Sequence, residues 1–185
     1  MKDIRCAVVY SSRTGNTKKV AEAVVQALPE GTALYPVEEA PAPDGFDFLA
    51  LGFWADKGGV DGAMQKYMAQ VAGRDMMVGL FGTMGASPES EHGRAIMADA
   101  RNRVAGNTVL CDFLCMGKID PKVLKMMEAM RAKGSDNIHP MTPERAASIA
   151  EAEKHPNEAD MVAARECFAG MIKKAHQGEE AGALA

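Results

Sequence analysis

The sequence predicts an α/β fold built on an open, doubly wound parallel sheet, and three observations carry that prediction. Short apolar runs of strand length alternate with longer segments whose apolar residues recur at helical spacing, the signature of parallel β/α units. A chain of 185 residues, 47% hydrophobic and 25% charged, suits one domain with a well-filled core. The first apolar run also ends in a hydroxyl-rich, glycine-containing turn at the start of a helix, where open sheets place a ligand beyond the strand ends.

Taken in order, the strands are expected at 4–10, 33–37, 47–54, 76–83 and 107–115. Amphipathic helices are expected at 15–28, 62–72, 91–105 and 120–132. The first helix carries Val20, Ala21, Val24, Val25 and Leu28. The second has Met64, Met68 and Val71 on one face, and the third Ile96, Met97, Ala100 and Val104. Only the connection 38–46 breaks the alternation, and Pro41 and Pro43 leave room there for a turn or a very short helix. Beyond Lys133 the pattern changes. Gly134-Ser135-Asp136-Asn137 is expected to turn, and Thr142-Pro143-Glu144 to cap a helix reaching about Lys154. After His155-Pro156, Asn157 caps a last helix to about His176, with Met161, Ala164, Phe168, Met171, Ile172 and Ala175 on one side. The segment from Gly178 onward is expected to fray. The expected organisation is therefore a domain over 1–133 and a helical extension, 134–185, packed on it, with a homodimer contact as an alternative use of those helices.

Composition excludes several function classes. No apolar stretch has membrane-span length and Met1-Lys2-Asp3 lacks a signal-peptide pattern, so a cytoplasmic protein without membrane partners is expected. A net charge of −4 argues against nucleic acid as partner. Cys6, Cys111, Cys115 and Cys167 are too few and scattered for a disulfide scaffold, and no histidine neighbours the Cys111/Cys115 pair, so no metal site is expected. No nucleophile–base pair is visible either. His92, His139, His155 and His176 lie in loops or near helix ends, His92 alone near the expected pocket, so no catalytic residue is assigned.

Three loops at the carboxyl ends of the strands, 11–16, 53–61 and 83–92, should supply the site. In the first, Ser11, Ser12, Arg13, Thr14, Gly15, Asn16 and Thr17 gather hydroxyls and free backbone N–H groups at a helix N-terminus, a ready anion site. Neither a Walker A loop nor a Gly-x-Gly-x-x-Gly dinucleotide fingerprint is present. With hydroxyls in place of glycines, the loop suits a terminal phosphate rather than a pyrophosphate passing bare backbone. Arg13 lies near that anion or points to solvent.

The pattern Tyr10-x-Ser12-x-x-Gly15-x-Thr17-x-x-x-Ala21 resembles the N-terminal signature of flavodoxins. Phe46-Asp47-Phe48-Leu49-Ala50-Leu51-Gly52-Phe53-Trp54 is similar to their third strand and flavin loop, and Val78 through Gly85 to their fourth strand and second flavin loop. The resemblance spans about residues 4–133 and implies a flavodoxin-like five-stranded parallel sheet of order 2-1-3-4-5, here with two extra C-terminal helices. It implies FMN as cofactor, with the phosphate on 11–17. Trp54 is implied to stack on the flavin ring, where an electron-rich neighbour lowers the flavin potential. Ala55, Asp56, Lys57, Gly58 and Gly59 form a flexible loop at the ring edge, where Gly58 or Gly59 permits a peptide flip toward flavin N5. Lys57 either meets that edge or is solvated. Thr83, Met84 and Gly85 are implied at the other face. Cys115 ends the fifth strand where flavin contacts lie, as a packed side chain or a redox thiol.

That end of the fifth strand, Phe113 to Ile119, departs from the family, and two further features do as well. Residues 83–93 hold no aromatic except His92, so Met84 or Pro88 covers the outer flavin face or the face stays open. The net charge of −4 is weak beside the strongly acidic surfaces of shuttling flavodoxins. The leading expectation is an FMN protein that shuttles electrons between a reductase and an acceptor protein. The alternatives are an FMN-dependent NAD(P)H reductase of a quinone or other small acceptor, and an accessory subunit of a larger reductase, which related flavodoxin-domain proteins of anaerobic bacteria resemble.

Overall fold

The structure is a computed structural model and describes residues 4–133 and 141–182, with backbone only for 172–182. The expected turn at 134–137, His139 and the last residues, 183–185, lie outside the described residues. The elements run β1 (Cys6–Tyr10), α1 (Asn16–Gln26), β2 (Ala33–Pro36), β3 (Phe48–Asp56), β4 (Gly59–Val60), α2 (Gly62–Val71), β5 (Met77–Met84), α3 (Glu91–Arg103), β6 (Thr108–Met116), α4 (Pro121–Ala132), α5 (Pro143–Ala152) and α6 (Glu158–Gly182). The Pro-rich connection contains a single 3-10 turn, Pro43–Gly45. No helix among the described residues is long and apolar enough to cross a membrane.

Five strands are parallel in the order β2-β1-β3-β5-β6, and β4 folds back antiparallel on β3. Counted without that short strand, the order is the expected 2-1-3-4-5. The central registers, Val8↔Ala50 and Ala50↔Gly79, keep alternate residues on opposite faces. Ala7, Val9, Leu49, Leu51, Val78 and Leu80 pack toward α2 and α3 with Met64, Met68, Ile96 and Ala100. Cys6, Val8, Phe48, Ala50 and Phe81 pack the other way, against Val20, Ala21 and Val24 of α1. A bulge in β6 opposite Val78/Gly79 shifts the pairing from Val109 directly to Cys111.

The last helix is integral to this second layer. Ala164, Phe168 and Met171 of α6 are buried in the same cluster as α1. Glycine makes the room. A Cβ on Gly79 would lie 2.6 Å from the Phe168 ring, and one on Gly52 2.2 Å from Phe81. Phe81 and Phe168 meet edge to face at 5.9 Å. The helix thus completes the core on this face of the sheet. Its start is a reciprocal cap: Asn157 Oδ1 accepts the Ala159 N–H at 2.9 Å, and Asp160 Oδ2 accepts the Asn157 N–H at 2.7 Å. It continues to Gly182 rather than ending near His176, because Glu and Ala after Gly178 sustain a helix.

By contrast, α4 has no buried residue. It sits at the carboxyl edge of the sheet, not over the core.

Candidate functional site

Leaving β1, the chain turns through the hydroxyl-rich loop into α1. Gly15 caps the helix at φ +89, a conformation that suits glycine, with no side chain capping the first turn. Among the described residues, no protein acceptor takes the backbone N–H of Ser12, Arg13, Thr14, Gly15, Asn16 or Thr17. Unpaired donors at the positive end of a helix are an anion cradle.

The loop's side chains divide between ligand and scaffold. Ser11 is buried and its Oγ donates to Asp61 Oδ1 at 2.7 Å. Thr17 is buried as well, its hydroxyl 2.9 Å from that of Thr83. Asn16 Nδ2 donates to the Lys118 carbonyl at 2.9 Å, and Ser12 Oγ accepts the Lys18 N–H at 3.3 Å. Thr14 is exposed. Arg13 pairs with Asp120 at 3.3 Å and lies 5.6 Å from the Trp54 ring centroid, bridging three segments.

Asp61 holds this wall together. It is 1% exposed. Its carboxylate accepts the Ser11 hydroxyl, the Trp54 N–H at 3.3 Å and the Ala63 and Met64 N–H groups at 3.1 Å each. One side chain thus caps α2 and fixes both the anion loop and the backbone of Trp54.

The stretch expected to be a flexible loop is a tight hairpin. Asp56 pairs with Gly59, and Lys57 and Gly58 between them have φ +49 and +87. Two successive positive φ values match the twist of a two-residue hairpin turn. Behind it, Asp99 Oδ2 accepts the Val60 N–H at 3.1 Å and pairs with Arg103 at 2.8 Å. Burial pushes the Asp99 carboxyl upward, but Arg103 and the Val60 N–H outweigh it and hold its pKa below the ordinary carboxylate value. A Cβ on Gly59 would meet Asp99 at 2.8 Å, so the hairpin lies close against α3.

The third loop leaves the site early. Thr83, Met84 and Gly85 reach the cavity, then Ser87 to Ser90 turn away. Ser90 caps α3 by accepting the Gly93 N–H at 3.1 Å, and Pro88 packs its carbonyl beside Gly93. His92 stands in the first turn of α3, near Gly58. Cys115 faces the α1/α6 core, 3% exposed, with Sγ 3.9 Å from the Gly82 carbonyl. Burial raises its thiol far above the ordinary value, which disfavours the thiolate a redox cysteine needs.

These parts open on one cavity of about 750 Å³ at the carboxyl edge. Arg13, Thr14, Asn16, Thr17, Trp54, Ala55, Asp56, Lys57, Thr83, Met84 and Gly85 line it, all of them expected from the sequence. Ser11, Ser12, Gly15, Gly58, Gly59 and Cys115, also expected, do not. The remaining wall was not anticipated: Gly117 to Asp120, and then Val123, Met126, Met127 and Met130 of α4. Asp61 had a legible signal, an Asx immediately before a helical pattern. The α4 stripe had none, since spacing of i, i+3, i+4 and i+7 is equally that of a core face.

Sheet, edge cavity and anion-ready loop define a doubly wound α/β protein with its site at the switch of strand order. The chain belongs to the flavodoxin family, as the model described as "Flavodoxin domain" matches residues 7–169. That match runs through α5 and about the first half of α6, beyond the stretch whose motifs carried the resemblance. The chain is 30% identical over 201 residues to the flavodoxin-like domain-containing protein BilS of Clostridium symbiosum (strain WAL-14163), spanning 95% of this chain and 100% of the relative. Among solved structures, a short-chain flavodoxin associated with a bacterial microcompartment matches at TM-score 0.59 and 15% identity, over 94% of this chain and 99% of that one. A flavoprotein of Lactobacillus acidophilus NCFM in complex with FMN matches at TM-score 0.50 and 13% identity, over 60% and 93% respectively.

Proposed function

We propose that this chain binds FMN in the edge cavity and carries electrons between the flavin and a partner redox protein. One observation carries the reading: Arg13, Thr14, Asn16 and Thr17 with their unpaired N–H groups, Trp54 and the Thr83–Gly85 strand end line the same cavity. The residues fit the cofactor. The 12–17 backbone, with the Thr14 hydroxyl and Arg13, would hold the phosphate, while Trp54 to Lys57 and Thr83 to Gly85 would meet the ring. The Lactobacillus flavoprotein of the same fold holds FMN, which supports the choice of flavin.

FMN would supply the electron chemistry, and the chain its orientation and shielding from water. Arg13, Lys57 and Lys118 bring positive charge to the cavity, and Asp56 and Asp120 negative. Among the described residues, no histidine, cysteine or tyrosine lines it. The lining is suited to hold, orient and shield the flavin, which supports the carrier reading. Anaerobic mixing of the FMN-loaded protein with NADH or NADPH tests this. Bleaching of the flavin only when a separate reductase is added is the expected result. Direct bleaching at a useful rate would replace the carrier reading with an FMN-dependent reductase.

A further inference from the structure

Among the described residues, helix α4 is the one helix with no buried residue, yet it is amphipathic. Its apolar stripe, Val123, Met126, Met127 and Met130, lines the cavity instead of the core. Met126 is 55% exposed and Met130 38%, so part of this stripe faces solvent. Among the described residues, the polar ties between α4 and the rest of the chain cluster at its start. Asp120, which caps the helix through the Lys122 N–H, pairs with Arg13 at 3.3 Å. Just before it, Asn16 donates to the Lys118 carbonyl at 2.9 Å and the Gly117 N–H to the Met84 carbonyl at 2.8 Å. Both Arg13 and Asn16 belong to the anion loop. Meanwhile the 86–92 segment, which holds no aromatic except His92, turns away to cap α3. Ile119 occupies the space beside Gly85, 2.6 Å from where a Cβ would stand.

We infer that α4 is a movable cover for the outer face of the flavin ring, with Met126, Met127 and Met130 completing their packing on the cofactor. This rests on the FMN reading above. Thioethers suit the task, since they pack favourably against aromatic surface and re-pack at little cost when the ring must be uncovered. The anion loop that would take the phosphate also anchors the first turn of α4, so loading the loop and seating the helix are coupled through Arg13 and Asn16. The cofactor then supplies the apolar partner that the protein core supplies to α1, α2, α3 and α6.

Hydrogen exchange on the full chain with and without saturating FMN tests the inference. Amides of 123–132 are expected to exchange at least about tenfold more slowly with FMN, while α2, already packed in the core, is unchanged. The double variant Met126→Gln/Met130→Gln keeps helix propensity and should weaken FMN binding about tenfold in fluorescence quenching, from lost apolar contact. Its apo-protein circular dichroism and melting should match the parent. Unchanged α4 exchange on FMN binding, or a folded double variant that binds FMN as tightly as the parent, would overturn the cover and leave the FMN reading standing. A parent chain that does not bind FMN would overturn both.

Discussion

On the β1–β3 side of the cavity, a carboxylate 1% exposed takes the Ser11 hydroxyl and three backbone N–H groups. Across from it, α4 buries nothing and presents Met126 at 55% exposure. The first wall is set by directional bonds out of water, where each donor and acceptor permits one geometry and a missing partner is costly. The second is set by apolar surface with polar ties at one end, which tolerates many arrangements. A site assembled this way has a rigid seat and an adaptable cover. That division suits a ligand that must be held in register while one face stays open to exchange.

The comparison breaks most severely at Asp61. Asp61→Ala should lower stability by about 3–4 kcal/mol, combining a lost helix cap with buried donors left unpaired. The denaturant midpoint measures it, and a shift below 1 kcal/mol would show that water replaces the carboxylate and that this wall is less rigid than its bonding indicates. Next comes Trp54→Ala, which should weaken FMN binding by about 1–2 kcal/mol through lost stacking and burial. Titration by flavin fluorescence reads this, and unchanged affinity would remove Trp54 from the ring contact.

A smaller effect tests the support behind the hairpin. Asp99→Asn should cost about 1 kcal/mol at neutral pH, a charge-assisted contact partly open to solvent. The folded pKa of Asp99 is depressed, so its charge contributes stability above the unfolded carboxylate pKa and loses it as pH falls through the folded value. Urea melts of both proteins across acidic pH should therefore converge as the carboxyl protonates, and a constant gap would assign the effect to packing. Smallest of all is Met126→Gln/Met130→Gln without FMN. Apo stability should change by no more than about 0.5 kcal/mol, as for exposed positions. A loss above 1 kcal/mol would show that the stripe already packs against protein and would remove the contrast between the walls.

Most of the rigid wall was legible in the sequence, because its information is local. A strand ending in Ser11 to Thr17 announces unpaired helix-start donors wherever it is placed. Alternating apolar runs indicated the sheet, and Trp54 and Thr83 lie near the strand ends that face the cavity. The β3–β4 hairpin was missed although Asp56-Lys57-Gly58-Gly59 carries turn residues. With β4 only Gly59–Val60, there was no period to count. Cys115 was placed by strand end alone, whereas register turns it into the α1/α6 core. The α6 face was read correctly at Met161, Ala164 and Phe168, but that it covers the sheet beside α1 depends on the room left at Gly79 and Gly52.

The sequence by itself thus determined the parallel α/β sheet, its strand order through the flavodoxin resemblance, and an anion-ready loop at the end of β1. Each depends on neighbours along the chain, hydrophobic period or backbone donors, which no later packing can rearrange. Only the tertiary structure decided that Asp61 binds the loop, the strand and α2 together, and that α4 turns its methionines to the cavity. The link to the loop rests on Ser11 and Asp61, 50 positions apart, and the seat of α4 on ties such as Asn16 to Lys118, 102 apart. An apolar stripe records that it must be covered, but the fold alone chooses what covers it.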